Sequence, residues 1–378
     1  MRILTAGESH GECLTTIIEG FPKGVRIEQD FINQELKRRM SGAGRGKRMS
    51  IEDDRAEIVS GLRNKVTLGS PITILVKNKD VKIFSQNKDE LPSLSVPRPA
   101  HADLSGALKY NEADVRNILE RASARETVSR VCAGAIFKQF LLNFDIDIAS
   151  FTVAVGNVAS GAKPKSISDI KAKKKLSPLN CIDQKKEKLM INEIGKAQAE
   201  KDSLGGIAEI WIEGVPPGLG TFMHFDRRLD AKLASYLMSI PAVKAVEVGL
   251  GFQYAKSRGS LSHDEIYYSK TKGFYRNTNN SGGIEGGIST GDKIILRIAM
   301  KPIATLRRPL NSVNLISKKA EKAIVERSDT CAIAACAVIA ENMAAIALTE
   351  SFLEKFGGDT LSEIKTAYRM YAKNLDNL

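Results

Sequence analysis

The sequence predicts a mixed α+β fold rather than a doubly wound parallel sheet, and three observations carry that prediction. Strand-like and helical runs are both present but do not alternate one for one, as repeated βαβ units require. The helical run Thr330 to Phe356, "TCAIAACAVIAENMAAIALTESFLEKF", is apolar on most faces until Glu341, which places it between two layers. The Gly-rich stretch "NNSGGIEGGISTGDK", Asn279 to Lys293, lacks the G-x-G-x-x-G spacing and precedes a strand instead of following one, so no dinucleotide fingerprint is present.

The elements follow in chain order. A short strand "RILTA" leads into "GESHG", and "DFINQELKRRM" (Asp30 to Met40) reads as a helix. "SPITILVKN" (Ser70 to Asn78) reads as a strand, "ETVSRVCAGAIFKQFLL" (Glu126 to Leu142) as a helix and "FTVAVGNV" (Phe151 to Val158) as a strand. In "GIAEIWIEG" (Gly206 to Gly214), Ala208, Ile210 and Ile212 alternate with Glu209, Trp211 and Glu213, the period of a strand. "DRRLDAKLASYLMS" (Asp226 to Ser239) is helical and "KIILRIAM" (Lys293 to Met300) is a strand. Between Ser160 and Ser203 the chain turns lysine-rich, which reads as a solvated surface insertion. One domain spanning 1–378 with that insertion at about 160–203 is the expected organisation.

At 378 residues, 43% hydrophobic and 26% charged, the chain has the composition of a soluble globular protein. No wholly apolar run reaches the ~20 residues of a bilayer span, and "MRILTAGESHGE" has no charged-then-apolar opening, so no membrane association and a cytoplasmic location are expected. Five cysteines, odd in number and never spaced C-x-x-C, argue against a disulfide framework or a zinc site. Cys132, Cys331 and Cys336 sit in apolar helical stretches and read as buried. The net charge of +12 calls for an acidic partner. With aromatics at 6% and no RNA-binding or zinc-finger signature, a small polyanion suits that charge as well as nucleic acid does.

Six segments are candidates for chemistry. "GESHG" presents Ser9 and His10 between glycines at a strand end, either as an acid–base group or as a structural turn. "PRPAHADLSG" places His101 on a proline-stiffened loop with Asp103 in reach of the imidazole. "SGAGRGKRMS" resembles a P-loop but is not one: three residues, not four, separate Gly42 from Gly46, and Arg48 stands at the hydroxyl position. With Lys37, Arg38, Arg39, Arg45 and Lys47 it is a cation-rich, glycine-interleaved segment suited to carboxylate or phosphate. "RASARET" puts Arg121 and Arg125 four apart, on one helical face for an anion or in salt bridges with Glu120 and Glu126. The glycines of Asn279 to Lys293 make a tight loop or a backbone cradle. In "ERSDTCAIAAC", Ser328 or Asp329 reads locally as a helix cap. His224 and His263 lack such framing and read as surface residues.

Together and in this order, "GESHG", "RRMSGAGRGKRM", "RPAHADLSGALKY", "RASARETVSRVCAGA", "NNSGGIEGGISTG", "KPIATL" and "RSDTCA" resemble the chorismate synthase family over nearly the whole chain. The resemblance implies a β-α-β sandwich, with a core of long helices between two antiparallel sheets, assembled as a homotetramer. It implies a lyase that uses reduced FMN, with NADPH a possible reductant, and converts 5-enolpyruvylshikimate 3-phosphate to chorismate without net oxidation; no nucleic-acid partner is implied. Carried over position by position, His101 matches the proton donor, His10 the partner of the flavin pyrimidine ring and Asp329 the base. Flavin contacts fall on Arg121, Ala122, Ser123, Pro241, Ala242, Gly286, Lys301, Pro302, Ile303, Ala304, Thr305 and Arg327. Substrate or NADPH contacts fall on Ser9, Arg39, Arg45, Arg48 and Arg125. Met40, Ala43, Ala100, Ser328 and Ala334 depart from the family's usual residues, and none of these changes removes a charged or acid–base group.

Overall fold

The computed structural model describes residues 1–46, 52–81, 93–326 and 328–375. Arg48 and Arg327, both expected at the site, lie outside the described residues. Two antiparallel sheets and a set of long helices organise the chain. The first sheet has four strands in the order Arg2–Ala6, Cys13–Glu19, Ile72–Lys77, Glu57–Ser60. The second runs Val243–Val248, Ile294–Met300, Gly206–Glu213, Asp147–Val155, Val158–Ala159. Every pairing within both sheets is antiparallel, as expected for a chain without βαβ repeats.

Alternation decides which face of each strand is buried. In "CLTTIIE", Leu14, Thr16 and Ile18 turn inward and Ile72, Ile74 and Val76 do the same on the neighbouring strand. They meet the helix Thr127–Leu141, and the one polar residue among them, Thr16, donates its hydroxyl to Ser129 O at 3.1 Å. In the second sheet Ala208, Ile210, Ile212, Ile294, Leu296 and Ile298 form one fully buried face against the helix Ile333–Phe356. Each such aliphatic contributes roughly 1.5–3 kcal/mol by leaving water.

The two long helices pack on each other, Thr127–Leu141 also meeting the first sheet and Ile333–Phe356 the second, and Gly134 sets their separation. A Cβ there would stand 2.3 Å from the Cβ of Asn342, so only glycine admits the crossing. The helix Ile333–Phe356 is long and apolar enough to cross a bilayer, but it is buried inside the fold, because its neighbours cover it on all sides. The helices Gln29–Met40 and Leu229–Met238 complete this layer.

The lysine-rich stretch forms two helices, Ile167–Lys174 and Gln184–Ala199. Of its sparse apolar residues, Ile167, Ile170 and Ile182 cluster with Ala149, Phe151 and Trp211 on the outer face of the five-stranded sheet, whereas Leu176 and Leu189 stay exposed. That sheet is therefore covered on both faces, and Trp211, polar-parity by sequence, is buried by the stretch that looked merely solvated. The cysteines are free, and Cys132, Cys181, Cys331 and Cys336 are buried; His224 and His263 are exposed.

Candidate active site

Several chain segments meet at one end of the helical layer and enclose a cavity of about 440 Å³. They are the turn after the first strand, the end of the helix Gln29–Met40 with its following loop, the loop around His101, the break at Ser123, the segments 240–242 and 300–305, and Ser328 and Asp329 with the start of the helix Ile333–Phe356. His10, His101 and Asp329 all line this one cavity, as do Ser9, Arg39, Arg45, Ala122, Ser123, Arg125, Pro241, Ala242, Lys301, Ile303, Ala304 and Thr305. Arg121, Gly286 and Pro302 do not line it.

His101 is gripped from behind. Its Nδ1 lies 2.5 Å from Asp103 Oδ1, and Asp103 is fully buried. Burial is the largest single influence on Asp103 and opposes its charge. Hydrogen bonds from His101 and then Arg98, with the guanidinium's own charge, outweigh it and hold the carboxyl well below the usual range. Arg98 donates Nε and its backbone N–H to Asp103 Oδ2 at 2.8 and 3.0 Å, and Nη1 to Thr305 Oγ1 at 2.9 Å. An ionised Asp103 accepts the hydrogen bond from Nδ1–H, so Nε2 is the nitrogen left to face a ligand. Arg98, between the two prolines of "PRPAH", is a site residue the sequence reading passed over; its place inside that motif was the available signal.

His10 is held in a parallel way by Glu120. The Glu120 carboxylate accepts the His10 backbone N–H at 2.8 Å and contacts ring Nδ1 at 2.9 Å, while its carbonyl accepts the Ser9 N–H at 3.0 Å. Ser9 Oγ donates to Ser123 Oγ at 3.1 Å. Glu120 is only 4% exposed, so the surface salt bridge weighed for it is not formed. Arg121 and Arg125 also part company. The helix Arg116–Ala122 ends where Ser123 becomes extended (φ −63°, ψ 141°), and its Oγ accepts from Arg125 N. Arg121 is left exposed on Thr5 and Gly7 carbonyls, whereas Arg125 is driven inside.

Asp329 caps no helix. The long helix begins at Ile333 with Ala332 in the capping position and no side-chain cap. Both Asp329 oxygens are spent elsewhere: Oδ2 accepts from Arg45 Nη1 at 2.6 Å and Oδ1 from the Gly46 N–H at 2.6 Å. Gly46 is obligatory for that contact, since a Cβ there would lie 2.9 Å from Ser328 O.

The electrostatics of the cavity are those of an anion site. Arg39, Arg45, Arg98, Arg125 and Lys301 line it against two carboxylates, Glu326 and Asp329, among the described residues. Further carboxylates stand behind the arginines: Asp54 lies 2.6 Å from Arg125 Nη1 and 3.6 Å from Arg39 Nη1. They do not suffice for Arg39, whose guanidinium is pushed down to about 10, first by burial, with Arg45 and Arg125 adding to it and Asp54 opposing. Arg39 Nη1 has no hydrogen-bond partner among the described residues, and so has a donor to offer a ligand or water. Ala122, Ile240, Pro241, Ala242, Ile303, Ala304 and Ile339 supply an apolar part of the lining. Two residues of the rim are backbone-strained: Ala100 and Ala242 hold φ of +61° and +72°, in a region that disfavours a Cβ.

A cationic face, an apolar wall and paired histidines suit a flat aromatic cofactor beside a polyanion. The family profile for chorismate synthase matches residues 1–353. A protein of Alkaliphilus metalliredigens named chorismate synthase is 49% identical over 376 residues, covering 98% of this chain and 99% of the relative. A Bacillus cereus protein named chorismate synthase 2 is 47% identical, covering 99% of this chain and the whole relative. A solved crystal structure of chorismate synthase superposes with a TM-score of 0.82 at 39% identity, covering 100% of this chain and 98% of that one. The chain belongs to the chorismate synthase family of carbon–oxygen lyases.

Proposed function

We propose that this chain converts 5-enolpyruvylshikimate 3-phosphate to chorismate by anti elimination of phosphate, with reduced FMN as cofactor. The observation that carries the reading is the convergence of His10, His101 and Asp329 on one cavity lined by five cations. The substrate brings two carboxylates and a phosphate of about −1.5 to −2 charge, a counter-charge for Arg39, which burial first and then Arg45 and Arg125 push down. Ala122, Ser123, Pro241, Ala242, Lys301, Ile303, Ala304 and Thr305 would hold the flavin, with Arg121, Pro302, Gly286 and Arg327 contributing from outside the described cavity lining. When bound, reduced FMN supplies electron density to the allylic system and recovers it, so no net oxidation results.

The protein's own residues align, neutralise and manage protons. Arg39, Arg45, Arg48 and Arg125 bind the carboxylates and phosphate, the first two also serving NADPH where it is the reductant. His101, with Nδ1 committed to Asp103, donates from Nε2 as phosphate departs. His10, with Nδ1 committed to Glu120, presents Nε2 to the flavin ring, with Ser9 beside it. Asp329 takes up the ring proton, and Arg45 and the Gly46 N–H fix the direction of its carboxylate.

The same reading carries the sandwich arrangement, a cytoplasmic location and a homotetramer. The helices packed between the sheets support the first, and the exposed side chains of Phe222, Phe225, Phe252 and Phe274 support a subunit interface. Anaerobic mixing of protein, substrate and chemically reduced FMN, followed by chorismate absorbance, tests the reaction. Turnover is expected only with all three present; a repeat with NADPH in place of the chemical reductant shows whether the protein reduces its own flavin. No chorismate with all three present refutes the proposal.

A further inference from the structure

A second cavity of about 400 Å³ lies on the other side of the helix Gln29–Met40. Successive residues of a helix point about 100° apart, so Arg39 enters the catalytic cavity while Arg38 turns into this one. Its far wall is the lysine-rich segment, which contributes Lys171, Lys174 and Lys175. We propose that this cavity is a second anion-binding site, taking a compact dianion of the phosphate or dicarboxylate type.

Arg38, Lys138, Lys171, Lys174 and Lys175 line the cavity against Glu35, Asp147 and Glu341. Glu341, 1% exposed, is already saturated: it accepts from Arg38 at 2.7 and 2.9 Å, Lys138 at 2.6 Å, Lys174 at 3.0 Å and both Ser150 donors at 2.8 Å. Glu35 is shared between Arg38 and Lys138. The third buried cation is therefore under-compensated, and Lys174 is pushed down to about 8, first by burial and then by Arg38 and Lys138, against the pull of Glu341. At the mouth Lys171 pairs with Asp147, whereas exposed Lys175 has no ion pair among the described residues.

Ser41 lines this cavity and begins the loop that carries Arg45. Beside it, Pro178 O accepts the Ala43 N–H at 2.7 Å, and the lining residue Asn180 donates to Ala334 O at 3.1 Å. An occupant would therefore rest against the same loop that orients Asp329, from the side the substrate does not touch.

The test reads the rise in melting temperature with inorganic phosphate at constant ionic strength, in protein carrying Arg45→Ala so that binding in the catalytic cavity is weakened. In that background Lys171→Gln/Lys175→Gln is compared with Lys186→Gln/Lys188→Gln, an equal charge change on the same segment outside the cavity. All four lysines are exposed, so both variants are expected to fold. The first pair should weaken apparent phosphate affinity about tenfold while the second leaves it within twofold. Equal responses from the two pairs, or no phosphate-dependent rise in the Arg45→Ala background, overturn the proposal. The outcome is independent of whether the chain makes chorismate.

Discussion

Replacing Asp103 with Asn tests whether the grip on His101 is what makes it a proton donor. The amide keeps the shape and still offers an oxygen to Arg98, but it no longer presents an ionised acceptor 2.5 Å from His101 Nδ1. The ring is then free to carry its proton on the wrong nitrogen. Loss of a positioned general acid lowers turnover about 10²–10⁴-fold, equivalent to roughly 3–5 kcal/mol of barrier at ~1.4 kcal/mol per decade. A stability cost accompanies it. Breaking a buried pair costs about 3–5 kcal/mol, and the lower end applies because Arg98 retains Thr305 Oγ1 at 2.9 Å and Glu326 at 3.8 Å. The two effects separate by pH. The folded carboxyl titrates below its unfolded value near 3.9, so its stabilisation is fully present above about pH 5 and fades as pH falls through the folded value. The gap in melting temperature between parent and variant should shrink below about pH 4, while the turnover defect at neutral pH remains. Anaerobic chorismate formation at saturating substrate, alongside calorimetric melting, measures both. A folded variant with turnover within twofold of the parent refutes the role assigned to this pair.

Asp329→Asn should lower turnover at least 10²-fold while changing the melting temperature by only a few degrees, because Asp329 caps no helix; a large melting shift with activity preserved would restore the structural reading. Ala100→Gly should raise stability by up to about 1 kcal/mol, relieving the left-handed backbone at φ +61° against a modest entropy loss, as read by chemical denaturation. Glu341→Gln leaves Arg38, Lys138 and Lys174 facing Glu35 alone and should destabilise by about 3–5 kcal/mol; a loss under 1 kcal/mol would show that these cations relax to water.

Much of the framework was legible because it is local. Strand-like apolar runs located the strands at Ile72 and Ile294, period-2 alternation the one at Gly206, and the apolar run before Glu341 the central helix. The strand Cys13–Glu19 went unnoticed because its Thr15 and Thr16 mask the alternation, although Thr16 is buried. Where the reading failed, a tertiary partner decided the outcome. Asp329 looked like a cap until Arg45 and Gly46, more than 280 residues away, claimed its oxygens. Arg121 and Arg125 looked like one face until Ser123 broke the helix between them. Glu341 looked like the end of an apolar stretch, yet it is the hub for cations from three other segments. The lysine-rich stretch hid its buried face because Ile167, Ile170 and Ile182 are too sparse to show a period. Local sequence singled out the histidines, the arginines and Asp329, and motif resemblance supplied their expected roles and the flavin-contact positions; distance along the chain, not residue type, is what concealed their convergence.

A crystal structure of the protein with FMN and 5-enolpyruvylshikimate 3-phosphate bound tests most directly whether His10, His101 and Asp329 serve one site. Both ligands should occupy the cavity between His10, His101 and Asp329, with the ester phosphate within hydrogen-bond reach of His101 and the ring system against the Ala122–Pro241–Ile303 wall. Either ligand bound elsewhere, or a phosphate out of reach of His101 and every lining arginine, would contradict the account.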